Sequence, residues 1–573
     1  MKRLLLFFIS LCSVFAARSQ YNPLWIPDTL SGTQFNLTMR DTFTQLISGN
    51  QTITGGINGR FWGPTLIFRR GDTVRLNVHN KLNDSTTLHW HGLHLPAVMD
   101  GGPHQVIPPN THWRPFWKVT DQAATLWYHP HLHEMTAKQV ASGLGGMIIL
   151  RDSQEASLPL PRTYGVDDIP LVLSDRKFDN ANQFVVQGFG DTMLTNFTLN
   201  AQANLPAQMI RFRVLNASVA RTYNLGFSDN RNFYIIGSDA GLLPAPVVKN
   251  RMLISPGERV ELVVSLSGQQ GTAPDLMAYN AEMPANIPGG MVVPPATPSN
   301  ALAGRNFRLL HMVVGAPTAN AVHTLPAQLS RIPRHDTTGI QAVRKLLISD
   351  SLGTTGQIKS FLFNHRSYNP THNEFDVPLS NKEIWEITST SAVTHPFHIH
   401  DIEFNVLDIN GQPPAPEDAG WKDVVLIPAP PRDTAGQVIR PTVVRFIGQF
   451  NDYADSVHPF MFHCHILTHE DGGMMGQFLV TGQATGVKTP AAAPMQLSLH
   501  PNPVKDRLTL TFDAPTAVYY IWITDPAGRT KYMLPEPDWQ NGIDVSSLRS
   551  GLYYLTVLEK KTGRKTTQSF IKE

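Results

Sequence analysis

The chain reads as an all-β protein of several domains, and three observations carry that reading. Short runs rich in Val, Ile, Leu, Phe and Thr recur along it, among them TVRLNVHN, GGMIIL, RFRVLN, RVELVVSLSG and GQFLVTG; β-branched and aromatic side chains suit a pleated, half-buried surface. Clusters of Pro, Gly, Asn and Asp punctuate these runs and sustained helical periodicity is scarce, which is the pattern of strands joined by turns. The composition, 573 residues with 42% hydrophobic and 16% charged, supplies several cores and excludes a disordered chain. A formal charge of +2, with no basic stretch interleaved with aromatics, gives no support to nucleic acid as a partner.

At the N-terminus, Met1-Lys2-Arg3 precedes LLLFFISLCSVFAA and a small, polar stretch ending near Gln20. That is the layout of a secretory signal peptide, assigned to residues 1–20. A buried helix or a membrane anchor is the competing reading, but the run is shorter than the roughly 20 apolar residues a span needs. No small residue immediately precedes Cys12, which speaks against lipidation there. The mature chain is therefore expected to be exported and to lack a transmembrane span. Export makes the cysteine count informative. Cys12 leaves with the signal, and Cys464 remains as a single thiol in a compartment where cysteines are usually paired.

Cys464 lies in MFHCHILTHEDGGMMG, between His463 and His465. In an extended segment, side chains two apart share a face and the one between points away. One strand can thus serve two metal sites, with the imidazoles of His463 and His465 at one and the sulfur of Cys464 at the other. The His-x-His spacing recurs as His89-Trp90-His91, His129-Pro130-His131 and His398-Ile399-His400. One pair is ordinary; four, in a chain with 22 histidines, point to metal. A thiolate with imidazoles and a nearby methionine suits a trigonal copper site with a weak axial thioether. Tetrahedral zinc competes for the same ligand types, although it needs no methionine and leaves eight paired histidines without a role. His133 extends the second pair to His-x-His-x-His, and spacing alone does not choose two of the three. His94 reads as a surface or supporting residue.

The segments LHWHGLH, WYHPHLH, HPFHIH and HCHILTHEDGGMM resemble the multicopper oxidases, in particular the bacterial three-domain laccase and copper-efflux oxidase branch. VMDGGPHQVIPPN, QVASGLGGMIIL and GWKDVVLIP extend the likeness, which spans roughly residues 40 to 482. The resemblance implies three consecutive cupredoxin-like Greek-key β-sandwich or barrel domains, taken as 21–155, 160–317 and 340–482. The first and third would meet around the metals, with the middle one as a spacer. It also implies four copper ions. A blue type 1 copper would be held by His395, Cys464, His469 and the axial Met474, and a type 2 copper by His89 and His398. A type 3 pair would be held by His91, His129 and His465 and by His131, His400 and His463. In such a protein a reducing substrate passes single electrons in at the edge of His469. They cross Cys464 to His463 and His465, and four of them reduce O₂ to two waters.

Asp100 and Glu470 occupy positions that assist proton delivery in that branch. The plainer readings are a turn-forming aspartate before two glycines and a carboxylate that orients a ligand histidine. Relatives that oxidise cuprous ion carry a methionine-rich insertion, whereas no methionine lies between Met312 and Met461, and EMPANIPGGM has only Met283 and Met291. Phenols and aromatic amines are the expected substrates, and cuprous or ferrous ion oxidation is the alternative. A non-catalytic copper-binding or electron-transfer protein, or a copper nitrite reductase, would need fewer histidines.

Residues 483–496 read as a linker rich in Ala, Thr, Gly and Pro. In residues 497–573, PNPVKD followed by alternating leucines, GLYYLTV and a basic tail resemble the C-terminal sorting domain of the type IX secretion system. A carbohydrate-binding or adhesion β-sandwich is the alternative, without a clear aromatic cluster to favour it. The resemblance implies the type IX machinery as a partner and a secreted or cell-surface product, periplasmic if the tail is no sorting signal.

Overall fold

Alternation in the sequence becomes alternation in space. Strand Thr73–Lys81 buries Val74, Leu76 and Val78 on one side and turns Thr73, Arg75 and Lys81 to solvent. The computed structural model describes residues 21–292, 300–331, 334–354, 358–482, 497–512, 519–526, 530–535, 542–559 and 565–573. The expected signal segment 1–20 and linker 483–496 lie outside the described residues.

Thr73–Lys81 pairs in parallel with Gln34–Thr44, which takes Thr52–Ile57 on its other edge. A second sheet, ordered Thr29–Ser31, Thr65–Arg69, Gly146–Arg151, Thr125–His129 and His89–His91, faces it. Leu37, Phe68, Val78, Trp90, Leu126 and Ile148 fill the space between. Each such side chain contributes roughly 1.5–3 kcal/mol by leaving water.

A second sandwich follows. Its seven-stranded sheet contains Asp168–Arg176, Met209–Asn216 and Arg259–Ser265, and its six-stranded sheet contains Ala201–Pro206, Tyr223–Phe227 and Asn306–Gly315. Both faces of the central strands are covered, so every residue of Asp168–Arg176 and Met209–Asn216 is buried. A third sandwich places Ala342–Leu352, Lys382–Ser389, Phe404–Ile409 and Thr442–Gln449 in one sheet. His395–Ile399, Val424–Ile427, Asp455–Cys464 and Met475–Thr481 lie in the other, with Trp385, Phe397, Phe446 and Phe462 between the layers. Beyond residue 496, a three-stranded and a four-stranded sheet enclose a separate core that includes Leu508, Ile521, Leu555 and Phe570. The all-β expectation holds throughout.

The contacts between the first three sandwiches position the site. Strand Asn22–Pro23 pairs in parallel with Ala201 and Gln202, so the segment expected to open the first domain is bound to the middle sheet. Phe61, Trp62, Trp127 and Met147 of the first sandwich pack on Val172, Phe197, Leu215 and Ala217 of the second. Buried carboxylates pair with arginines across this seam: Glu155 with Arg211 at 2.8 Å, and Asp168 with Arg151 at 3.1 Å. Desolvation makes such pairs weak sources of net stability, but leaving one member unpaired is expensive, so they fix how the units dock. Between the first and third units, helix Thr136–Ser142 packs Ala137 and Val140 on Leu467. The backbone N–H groups of Thr136 and Ala137 donate to Asp471, both at 2.9 Å.

Candidate metal centre

In the first sandwich, His89–His91 runs antiparallel to Thr125–His129, with His89 opposite His129 and His91 opposite Trp127. His89, His91 and His129 therefore share one face. In the third sandwich, His398 lies opposite His463. Docking brings the two faces together: ring centroids are 3.8 Å apart for His91 and His398, 3.9 Å for His89 and His400, and 4.6 Å for His131 and His463. All eight paired histidines are buried.

Hydrogen bonds decide which nitrogen stays free in six of the eight rings. Nδ1 donates to the Asp100 carbonyl from His89 (2.9 Å), to the Pro130 carbonyl from His129 (2.8 Å) and to the Asp423 carbonyl from His398 (2.7 Å). His400 Nδ1 donates to the Asp100 carboxylate at 2.7 Å, and His463 Nδ1 to the Cys464 carbonyl at 3.1 Å. These five keep Nε2 for another partner. His91 is reversed: its Nε2 donates to the Asp423 carboxylate at 3.2 Å, and its Nδ1 faces His129 Nε2 at 3.4 Å.

Nε2 of His89, Nε2 of His398 and both nitrogens of His465 have no protein partner. Buried polar atoms left so are costly and call for an explanation. Burial, reinforced by neighbouring histidines, pushes His91, His129, His398 and His400 well below the usual imidazole range, which keeps them neutral. Neutral imidazole is the form a metal binds. Donor atoms lie within 4.8 Å of one another in three sets: His89, His91 and His129; His89, His398 and His400; His131, His400 and His463. His465 joins none of these; its ring stands 5.0 Å from His91 and 5.6 Å from His129. An all-imidazole cluster fits a transition metal and not magnesium or calcium, which take oxygen.

Cys464 faces the other way. Its Sγ lies 3.5 Å from His395 Nδ1 and 3.7 Å from His469 Nδ1, and the three form a further donor set. Met474 is fully buried in the same core, and its carbonyl accepts the Cys464 N–H at 3.1 Å. Ser391 Oγ holds His395 Nε2 at 2.9 Å, which turns Nδ1 to the sulfur. Burial pushes the Cys464 thiol up and His469 down to about 3. A thiolate would need a cation beside it, so this set also fits a soft metal. The regular strand stops at Cys464, yet His465 still turns to the histidine side, its ring 5.5 Å from that of His463.

The carboxylates expected nearby are present. Asp100 touches His89 and His400 as described, and Glu470 stands 3.3 Å from His131 Nδ1 and 3.2 Å from His463 Nδ1. His133 stays outside the donor sets, edge-on to the Tyr368 ring at 5.0 Å. His94 is outside too, paired across the interface with Asp401 at 2.9 Å and with Asp452.

The sequence matches the family profile "Multicopper oxidase" over residues 39–155 and again over 343–484. It is 32% identical over 450 residues to the multicopper oxidase mco of Staphylococcus haemolyticus, covering 76% of this chain and 86% of that relative. The chain belongs to the multicopper oxidase family. It is also 31% identical over 478 residues to the cell division protein FtsP of Escherichia coli, 81% of this chain and 94% of that one. A solved laccase-like multi-copper oxidase, CueO from Ochrobactrum sp., superposes with a TM-score of 0.69 at 31% identity, covering 80% of this chain and all of that chain. It is described as active towards lignin model compounds and lignosulfonate. The three sandwiches are thus cupredoxin-like, and the family binds copper and couples oxidation to O₂. Residues 498–573 match a secretion system C-terminal sorting domain, which marks this multicopper oxidase for export. Among the described residues, no helix is long and apolar enough to cross a membrane.

Three residues at the oxidase's centre escape sequence reasoning. Asp423 serves both His91 and His398, and Arg259 and Gly257, from the sandwich expected to be a spacer, reach it and His465. The available signal was GWKDVVLIP, where an acid opens an apolar run and so enters the interior needing a partner.

Proposed function

We propose that this multicopper oxidase is laccase-like, taking single electrons from phenols or aromatic amines beside His469 and delivering four of them to O₂ at the histidine cluster. Copper would be held by His395, Cys464, His469 and Met474; by His89 and His398; by His91, His129 and His465; and by His131, His400 and His463. Bound there, it supplies the one-electron chemistry that reduction of O₂ to water requires. One observation carries the reading. Cys464 belongs to one donor set and its neighbour His463 to another, so a single peptide bond joins the two. Water formation consumes protons, and Asp100 and Glu470 are buried carboxylates touching cluster histidines, which supports a role in passing protons inward.

A cavity of about 510 Å³ opens beside His469, lined by Phe189, Ala220, Ile287, Pro288 and Val393 among others. Its size and apolar walls suit a single-ring aromatic compound. None of the described lining residues is a carboxylate, and Arg221, which also lines it, is engaged by Asp175 at 2.8 Å. Met291, an exposed thioether on the same cavity, is what favours cuprous ion as the second reading. The sorting domain supports passage to the cell surface or the medium, with removal of the tail on the way.

The test is copper per chain followed by O₂ uptake on a panel of phenols, aromatic amines, Cu(I) and Fe(II). Four coppers and at least tenfold faster turnover of a phenol than of either metal ion are expected. Faster turnover of Cu(I) or Fe(II) than of every organic substrate refutes the laccase reading. Bound copper without O₂ uptake favours a non-catalytic protein.

A further inference from the structure

Among the described residues, the middle sandwich supplies none of the donor atoms, yet its turn Pro256-Gly257-Glu258-Arg259 reaches them. Arg259 is buried and grips the Asp423 carboxylate with two parallel bonds, Nη1 to Oδ1 at 2.7 Å and Nη2 to Oδ2. Such a fork fixes both position and orientation. The remaining donors are used as well: Nε to the Thr125 carbonyl of the first sandwich at 3.1 Å, Nη1 to the Gly257 carbonyl at 2.9 Å and Nη2 to the Asp239 carbonyl at 3.0 Å. One side chain thereby touches all three sandwiches.

Asp423 passes that constraint to the cluster. Its backbone carbonyl takes His398 Nδ1–H and its carboxylate takes His91 Nε2–H, so one residue holds two rings in opposite tautomers. The backbone around the pair is cleared for it. Gly92, at φ +88°, lies where a Cβ would come within 2.5 Å of Asp423 Oδ2 and 2.7 Å of Arg259 Nη2. Gly257, at φ +84°, lies where one would come within 2.5 Å of His465 Cδ2.

We propose that Arg259 is a positioning residue for the oxygen-reducing centre: by gripping Asp423 it fixes which nitrogen of His91 and of His398 is presented to the metal. The inference rests on reading the histidine cluster as a copper site. It makes the middle sandwich a working part of that site. Loss of a partner that orients a metal-binding histidine costs 10–100-fold in affinity or activity.

The experiment uses the full mature chain, copper-loaded, as the native protein, Arg259→Met, Arg259→Lys, Asp423→Asn and the Met/Asn double variant. Copper per chain, blue absorption, the type 2 electron paramagnetic signal and O₂ uptake are measured. Arg259→Met is expected to keep the blue absorption, to alter the type 2 signal or drop below four coppers, and to lose 10–100-fold in O₂ uptake. Arg259→Lys, which keeps the charge without the fork, should recover part of the loss. Adding Arg259→Met to Asp423→Asn should lower uptake by less than about twofold, because the arginine acts through the aspartate. The inference is overturned if Arg259→Met keeps native copper, signal and uptake, if it loses blue absorption in step with uptake, or if the two substitutions multiply. Native protein that takes up no cluster copper overturns the reading of the cluster instead, whatever the variants do.

Discussion

Replacing Gly92 with alanine tests how tightly the centre is built. The backbone there sits at φ +88°, a region where a side chain costs about 1–2 kcal/mol. The new methyl group would meet Asp423 Oδ2 at 2.5 Å, Arg259 Nη2 at 2.7 Å and Leu126 Cδ2 at 2.9 Å. To reach an ordinary 3.4 Å contact the carboxylate must withdraw by about 0.9 Å, and it is held by Arg259 and His91. Overpacking of that kind costs about 1–3 kcal/mol, so the two effects together come to about 2–5 kcal/mol. At about 2–4 °C per kcal/mol, the metal-free protein should melt some 4–20 °C lower. Calorimetry of the native and variant proteins at one scan rate, before and after copper loading, measures this. Loading should also stabilise the variant less than the native chain, since a displaced Asp423 no longer orients His91. A metal-free variant melting within a degree of the native protein and loading copper equally well refutes the reasoning.

Cys464→Ser should abolish blue absorption and substrate-driven O₂ uptake together; blue colour in that variant contradicts the assignment. Val393→Trp, which fills the cavity beside His469, should raise KM for bulky phenols at least fivefold; an unchanged phenol KM places the substrate elsewhere. Burial lowers the His94 pKa, but Asp401, Asp452 and Asp121 outweigh it and hold the imidazole well above its usual range. With the folded value above the unfolded one, His94 stabilises fully below pH ~6.5 and its contribution fades as pH rises through the folded value. His94→Asn should therefore lower Tm by a few degrees near pH 6.5 and by progressively less towards pH 10; a gap that does not vary with pH rejects the pair. A chain ending at residue 482 should retain copper, colour and oxidation, because residues from 497 onward have a core of their own. It should no longer be exported past the outer membrane, and normal secretion of the shortened chain would show that the tail is no address.

The strands were legible because their burial alternates, as in TVRLNVHNK, and the histidine pairs because spacing in a strand translates directly into a shared face. The opposed faces of Cys464 and His463 follow from the same geometry, and the sulfur lies 3.5 Å from His395, away from the ring cluster. What stayed hidden are contacts between residues far apart in the chain. Arg259 and Asp423 are separated by 164 positions, and neither has a local pattern that predicts the other. The parallel pairing of Asn22 and Pro23 with the middle sheet is equally invisible, since two residues carry no periodicity. Asp471, pushed up to about 7 by burial and by Glu470, lies in the quoted HEDGG motif. Its bonds to helix Thr136–Ser142 depend on docking that sequence spacing does not encode.

Two of the cluster's donor sets draw histidines from both the first and the third sandwich. With copper bound there as proposed, the seam between those sandwiches would also be the door to the metals. A fluctuation that parts it by a few ångströms dismantles both sets at once, so the rate at which a chelator strips the protein reports how often the seam opens. A nascent chain that has not yet made its third sandwich could not complete either set, which would tie acquisition of the metals to the docking of that sandwich on the first.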